Sequence, residues 1–307
     1  MRETASLREV GPRDGLQMVK TILSPDRKLD WCRAEMAAGV REIEVTSFVH
    51  PKIVPQFADA AEVAAGALLI PGLVPSALVP NLKGAERAFD AGLTRVNYVV
   101  SASDAHNRAN VGRPTEESVE DFGRITALAC DKGRECFHIA AGIATAFGCT
   151  IAGEVPEAQV FAIAERLIEL GADEIIVADT VGYGNPGQVR RIMARVLEIA
   201  GGRPVACHFH DTRGLGLANV TAAVEAGVRA FDASLGGLGG CPFAPGASGN
   251  INSEDCAYLL ESLGLDTGID IPTLVQARRK IEPWLPGENF TGSIERAGLP
   301  KTFRDAA

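Results

Sequence analysis

Short apolar runs rich in β-branched residues alternate with helical segments eight times along this chain. The runs are Leu7–Val10, Glu42–Val45, Leu68–Val74, Arg95–Val100, Phe137–Ile143, Glu174–Ala178, Val205–Phe209 and Ala230–Leu235. The segments between them, such as 156–170 and 186–199, have helical spacing, and most end at a glycine, as helices commonly do. Eight strand–helix units in roughly 260 residues predict a (β/α)8 TIM barrel over about residues 5–265. A doubly wound sheet is the alternative, but no Gly-x-Gly-x-x-Gly motif follows the first run.

The residues after the predicted barrel form a shorter segment of different character. Residues 271–282 have helical spacing, and the rest of the segment is rich in proline and glycine. This pattern predicts a short C-terminal helical extension over 266–307. No linker-like composition separates it from the barrel, so we expect a single domain over 1–307.

Charge and cysteine usage exclude several classes of partner. The chain has 30 Lys and Arg against 39 Asp and Glu, with no basic cluster, so we expect no nucleic-acid partner. Its seven cysteines are scattered without a Cys-x-x-Cys motif, which is typical of reduced thiols in the cytoplasm. The N-terminus lacks the apolar segment of a signal peptide. Residues 63–82 carry no charge, but prolines and glycines interrupt them, so we expect no membrane span.

Two histidines lie two residues apart at the end of the seventh predicted strand. Side chains at positions i and i+2 of a strand point to one face, so His208 and His210 converge. Imidazole is the commonest metal-ligating side chain, and the pair therefore favours a metal site over two hydrogen-bonded core histidines.

Polar side chains also follow other predicted strands at their C-terminal ends, where the active sites of TIM barrels lie. Arg13, Asp14 and Gln17 follow the first strand, Glu44 and Ser47 belong to the second, Asp179 ends the sixth, and the eighth leads into a glycine-rich loop with Cys241 and Asn250. We expect these residues to meet at one mouth of the barrel. For Asp179, a role as a helix cap is an equal alternative.

These residues belong to longer motifs that resemble one known family. The motifs are Val10-Gly-Pro-Arg-Asp-Gly-Leu-Gln17, Glu44-Val-Thr-Ser-Phe-Val-His-Pro-Lys52, His208-Phe-His-Asp-Thr212, Gly237-Leu-Gly-Gly-Cys-Pro242 and Gly246-Ala-Ser-Gly-Asn250. They are similar to 3-hydroxy-3-methylglutaryl-CoA lyase, a member of the DRE-TIM metallolyases. The resemblance implies a divalent metal bound by Asp14, His208, His210 and Asn250. It further implies an acyl-CoA substrate, a homodimer and a role in leucine catabolism.

The donor set agrees with this resemblance. One carboxylate, two imidazoles and one amide oxygen suit Mg²⁺ or Mn²⁺ better than structural Zn²⁺. The implied reaction cleaves a tertiary 3-hydroxyacyl-CoA into a keto acid and the enolate of acetyl-CoA. Either Asp14 or His208 is expected to take the hydroxyl proton.

Other residues have implied roles in the same reaction. Arg13 is expected to stabilise the charge on the thioester oxygen, and Cys241 to protonate the carbon as a thiol acid. Glu44 is expected to hold Arg13 or a metal ligand, with a purely structural ion pair to Arg13 as the alternative. For Cys241 the alternative is a small buried apolar residue. Gln17, Ser47 and Asp179 are candidates for substrate binding.

One departure from the family pattern concerns the substrate. The sixth strand of family members resembles Ser-Leu-Gly-Asp, whereas this chain has Ile176-Val-Ala-Asp179. Ile176 is therefore a candidate for altered substrate choice, and citramalyl-CoA or a longer-branched 3-hydroxyglutaryl-CoA are alternative substrates. Two other functions remain open from the residues alone: an Fe(II) oxygenase using Asp14, His208 and His210, and a non-catalytic barrel.

Overall fold

Eight parallel strands form a closed barrel in the computed structural model, which describes residues 2–240 and 249–303. Each strand pairs with its neighbours in chain order, and the last pairs with the first. The strands are β1 (Ser6–Glu9), β2 (Glu42–Ser47), β3 (Val74–Val79), β4 (Arg95–Ser101), β5 (His138–Ala144), β6 (Glu174–Asp179), β7 (Val205–Phe209) and β8 (Ala230–Ala233). The predicted (β/α)8 barrel is thus confirmed.

Helices surround the barrel and pack on the outer faces of the strands. They are α1 (Pro25–Ala37), α2 (Ala60–Leu68), α3 (Leu82–Asp90), α4 (Asp104–Val111), α5 (Thr115–Asp131), α6 (Glu157–Glu169), α7 (Pro186–Ala200), α8 (Gly216–Ala226), α9 (Ser253–Ser262), α10 (Ile271–Ile281) and α11 (Ser293–Ala297). Most of the buried apolar side chains lie between these helices and the strands. None of the described helices is long and apolar enough to cross a bilayer.

The predicted C-terminal helical extension corresponds to α10 and α11. Leu274 and Ile281 of α10 are fully buried in an apolar cluster with Trp31 and Cys32 of α1. The extension therefore covers the outer side of the first strand–helix unit rather than standing apart from the barrel.

The predicted position of the third strand was wrong. Residues 68–74 were expected to form it, but Leu68 ends α2, a turn follows, and the strand begins at Val74. Leu68 and Leu69 are 44% and 82% exposed, so the first part of this apolar run is not buried as a strand would be. A continuous apolar stretch has no period that separates the end of a helix from the start of a strand, which explains the error.

Charged and polar side chains occupy part of the barrel interior. Arg8 of β1 forms ion pairs with Glu174 of β6 and, at 2.6 Å, with Asp232 of β8. Arg95 of β4 pairs with Glu42 of β2 at 3.2 Å. These pairs connect strands across the interior, because side chains of alternate residues on each strand point inward.

Candidate active site

A tight turn after β1 places two of the predicted residues at the C-terminal mouth of the barrel. The backbone N–H groups of Arg13, Asp14 and Gly15 all donate to the carbonyl of Val10, which closes a π-helical turn over Gly11–Gly15. A Cβ atom at Gly11 would lie 2.4 Å from the Glu9 carboxylate and 2.7 Å from the Trp31 ring. Glycine is therefore needed at position 11 for the backbone to pack this closely. This packing directs the side chains of Arg13 and Asp14 into the mouth of the barrel.

The end of β7 brings both histidines to Asp14. The Nε2 atoms of His208 and His210 are 3.1 Å apart, and they lie 3.9 and 3.8 Å from Asp14 Oδ2. One ligand atom from each residue lies within 4.8 Å of the other two, a spacing that could hold a metal ion.

Asn250 completes this cluster. It forms an isolated bridge with His210, and its Nδ2 donates to Asp14 Oδ2 at 2.7 Å and to the carbonyl of Leu238 at 3.1 Å. Its buried Oδ1 has no hydrogen-bond partner among the described residues. A buried amide oxygen without a partner is costly, and a cation would satisfy it. The donor set of the site therefore fits a divalent metal with hard ligands.

Charge in this cluster follows from its contacts. Burial acts to raise the pKa of Asp14, but Arg13, the two histidines and Asn250 outweigh it and lower the pKa to about 2. Burial and the neighbouring His208 lower the pKa of His210 to about 4. Asp14 is thus ionised and His210 neutral at pH 7, the forms that bind metal.

Arg13 is held in place by two carboxylates. Its Nε donates to Glu44 of β2, and its Nη1 donates to Asp14 Oδ1 at 2.6 Å. Glu44 in turn accepts from Asn97 Nδ2 at 2.8 Å. The guanidinium is therefore oriented from both sides, next to the cluster of possible metal ligands.

The glycine-rich loop approaches the same cluster. Gly239 has φ of +135°, and a Cβ atom there would lie 2.5 Å from Asn250 Nδ2. Only glycine fits this close approach without strain. Cys241, the predicted proton donor, lies outside the described residues.

The candidates for substrate binding are placed differently from one another. Gln17 is half-buried just after the turn, and Ser47 Oγ accepts from the backbone of Val49 at 3.3 Å. Both oxygens of Asp179 accept backbone N–H groups of its own loop, those of Tyr183 and Gly184, at 2.8 and 2.9 Å. Burial raises the pKa of Asp179 to about 6. The structure thus gives Ser47 and Asp179 a role in shaping their loops.

Ile176 lies on the inner face of β6. It shares that face with Glu174, which contacts Arg8 across the interior. Its side chain is 6% exposed and packs with Ala140 and Ala206. The surface that it contributes is apolar.

Sequence reasoning missed several charged residues around the site. Asp232 bonds His208, and Glu9 lies behind the turn, where it accepts from the backbone of Gly11 and Leu235 and from Ser253 Oγ. Burial raises the pKa of Glu9 to about 7. The sequence did contain a signal for these residues: they are charged, yet they lie in or next to strands that were predicted to be buried. Unpaired charges are rarely buried, so such residues are expected to have charged partners.

Comparisons with known proteins agree with this arrangement. The family model described as HMGL-like matches residues 5–281. A hydroxymethylglutaryl-CoA lyase of Bacillus subtilis is 39% identical over 277 residues, which are 90% of this chain and 92% of that protein. An (R)-citramalyl-CoA lyase of Chloroflexus aurantiacus is 42% identical over 306 residues, 96% of this chain and 95% of that protein.

A solved structure is also similar over nearly the whole chain. It is that of an HMG-CoA lyase from Acinetobacter baumannii in complex with coenzyme A and 3-methylmalate. The TM-score is 0.91 at 40% identity, and the match covers 99% of this chain and 98% of that chain.

Proposed function

The chain belongs to the HMGL-like family, and we propose that it is a metal-dependent carbon–carbon lyase that cleaves 3-hydroxy-3-methylglutaryl-CoA or a close analogue. The products are acetyl-CoA and a keto acid, which is acetoacetate for this substrate. This assignment replaces the Fe(II) oxygenase and the non-catalytic barrel, because the similar proteins are lyases.

One observation carries the proposal. Asp14, His208 and His210 offer three ligand atoms at metal-binding spacing, with the unpartnered Oδ1 of Asn250 and the guanidinium of Arg13 beside them. This set combines a site for a hard cation with a fixed positive charge, as retro-Claisen cleavage requires.

Asp14, His208, His210 and Asn250 would hold Mg²⁺ or Mn²⁺. When bound, the cation would polarise the hydroxyl and carboxylate oxygens of the substrate and lower the pKa of the hydroxyl. We take Asp14 as the acceptor of the hydroxyl proton, because both ring nitrogens of His208 have other partners: Asp232 at Nδ1 and the proposed metal position at Nε2.

Bond cleavage then follows from loss of that proton. The oxygen forms a carbonyl as the bond between C2 and C3 breaks, and the electron pair passes to C2 and the thioester oxygen as an enolate. Arg13 is always cationic, and Glu44 and Asp14 hold it in one orientation, so it is suited to stabilise this charge. The thiol of Cys241 delivers a proton to C2, which gives acetyl-CoA and a thiolate that is reprotonated for the next turnover.

Citramalyl-CoA is the second candidate substrate, and it would yield pyruvate instead of acetoacetate. The similarity of this chain to a citramalyl-CoA lyase supports it, and the apolar surface formed by Ile176, Ala140 and Ala206 is where the two acyl groups would be distinguished by shape. The 42% identical Chloroflexus aurantiacus protein is a lyase of this kind.

The decisive experiment measures acetyl-CoA release from a panel of 3-hydroxyacyl-CoA thioesters. The protein is first stripped of metal with a chelator, and Mg²⁺ or Mn²⁺ is then added back. We expect activity only after metal is restored and on only one or two members of the panel. Activity that survives complete metal removal, or no cleavage of any thioester, would disprove the proposal.

A further inference from the structure

Asp232 is a buried carboxylate of β8 that contacts a proposed metal ligand. Its Oδ2 lies 3.2 Å from Nδ1 of His208, while Nε2 of the same ring faces Asp14 and His210. The two nitrogens of His208 therefore have different partners: a carboxylate on one side and the proposed metal position on the other.

The carboxylate of Asp232 is itself fixed from the interior of the barrel. Arg8 donates from Nε to Asp232 Oδ1 at 2.7 Å and also contacts Glu174. Glu174 accepts a further contact from His138 at 3.0 Å. Because these groups are almost fully buried, Arg8 rather than water fixes the orientation of the Asp232 carboxylate.

The two histidines differ in this respect. His210 Nδ1 is buried and has no hydrogen-bond partner among the residues that the structure describes, whereas His208 Nδ1 faces a carboxylate. A carboxylate that accepts from one ring nitrogen fixes the proton there and leaves the lone pair on the other nitrogen for a metal.

We propose that Asp232, held by Arg8, is a positioning residue that keeps the proton of His208 on Nδ1 and presents Nε2 to the metal. This inference rests on the metal site of the proposed function. It assigns a role to Arg8 of β1 and Asp232 of β8, which act through His208.

Asp232→Asn tests the proposal, and Glu174→Gln is its matched control. Arg8 can only donate, so it draws the amide oxygen of Asn and turns the amide NH₂ toward His208 Nδ1. His208 must then accept at Nδ1 and carry its proton on Nε2, the nitrogen needed for metal. We expect Mn²⁺ affinity, measured from free Mn²⁺ by electron paramagnetic resonance, to fall roughly 10- to 100-fold. Glu174→Gln removes a carboxylate from the same Arg8 but none from His208, so its affinity should stay within about twofold.

The outcomes separate this inference from the function on which it rests. Wild-type affinity in a folded Asp232→Asn protein overturns the inference alone, and so does an equal loss in both variants. Failure of the wild type to bind Mn²⁺ overturns the proposed metal site as well.

A measurement on the wild type covers the case in which Asp232→Asn does not fold. The chain has five histidines, so ¹⁵N spectra of histidine-labelled, Mg²⁺-loaded protein can assign each ring. We expect His208 to be protonated at Nδ1. An unprotonated Nδ1 would show that Asp232 does not set the position of this proton.

Discussion

The inner surface of the barrel has a charged side and an apolar side. The two sides differ in the contacts that they can make with a ligand. On β2 and β8 the interior carries Glu44, which bonds Arg13, and Asp232, which bonds His208. Asn97 of β4 and Arg8 of β1 hold these two carboxylates by further hydrogen bonds. The apolar side is a patch formed by Ala140 of β5, Ile176 of β6 and Ala206 of β7, which pack together next to Glu174 and His208 on the same strands.

This difference separates reaction from substrate. The charged side orients the residues that would hold a metal and stabilise an enolate, so it determines the type of chemistry. The apolar side has no group that could pair with a charged or polar part of a ligand, so it selects by shape and hydrophobicity. The same chemistry can therefore act on different acyl groups when only the apolar side changes.

The largest effect is expected on the charged side, from His210→Ala. The variant loses one ligand of the proposed metal site, so cleavage should be abolished and bound metal should fall with it. Activity and metal content by elemental analysis are measured on the same preparation. His138→Ala, at the opposite end of the barrel, is the control and should retain both. Full activity in a His210→Ala protein without bound metal would contradict the role of His210.

Cys241→Ser should lower kcat by roughly 10²-fold or more while KM changes little. A serine hydroxyl is too weak an acid to replace a thiol that donates a proton to carbon. Steady-state kinetics check this, with Cys136→Ser as a control because that cysteine is exposed in the turn before β5. An unchanged kcat in Cys241→Ser would assign Cys241 to a structural role.

The sequence predicted the charged side better than the apolar one. Asp14, His208, His210 and Asn250 were expected to meet because each lies at or after the C-terminal end of a strand, and the structure brings them together. Their roles in binding metal remain predictions. The contact between Asp232 and His208 could not be predicted, because it depends on the register of β7 against β8, which no local pattern encodes.

The same limit applies to the fold. Alternation of apolar runs was sufficient to predict eight strands, but the run at 68–74 contains both the end of a helix and the start of a strand. Likewise, the packing of Ile176 against Ala140 and Ala206 joins three strands that are distant in sequence.

Carboxylates behind the charged side should control how stability depends on pH. Burial raises the pKa of Glu9 to about 7 and that of Glu254 to about 7, whereas Arg8 lowers the pKa of Glu174 and Asp232 despite their burial. The folded protein thus keeps protons on Glu9 and Glu254 that the unfolded chain releases above pH ~4.5. The free energy of unfolding should therefore fall as pH rises from about 4.5 to 7, by about 2–3 kcal/mol for each carboxyl. Burial and the neighbouring Glu9 raise the pKa of Glu35 well above its usual value, so the fall should continue above pH 7. The lowered pKa of His210 acts in the opposite direction below about pH 6.5 but is a single group against several carboxyls.

Urea unfolding at several pH values checks this dependence. Glu9→Gln keeps an acceptor for the backbone of Gly11 and Leu235 but cannot ionise, so the fall in stability should become smaller. Glu174→Gln removes a carboxylate that is paired with Arg8, and it should leave the decrease in stability between pH 4.5 and 7 unchanged. A stability that rises with pH between 5 and 7 would contradict the raised pKa values.

The smallest effect is expected on the apolar side, from Ile176→Ser. The hydroxyl could pair with a carboxylate or hydroxyl of 3-hydroxy-3-methylglutaryl-CoA, and one such bond contributes about 1 kcal/mol, or roughly fivefold in kcat/KM. Ile176→Ala creates similar space without a hydroxyl, so the ratio of kcat/KM values for the Ser and Ala variants isolates the polar contact. We expect that ratio to exceed one for 3-hydroxy-3-methylglutaryl-CoA and to stay near one for citramalyl-CoA. Equal values for both variants on both substrates would show that Ile176 does not select the acyl group, and the apolar side would then act only as packing beneath the site.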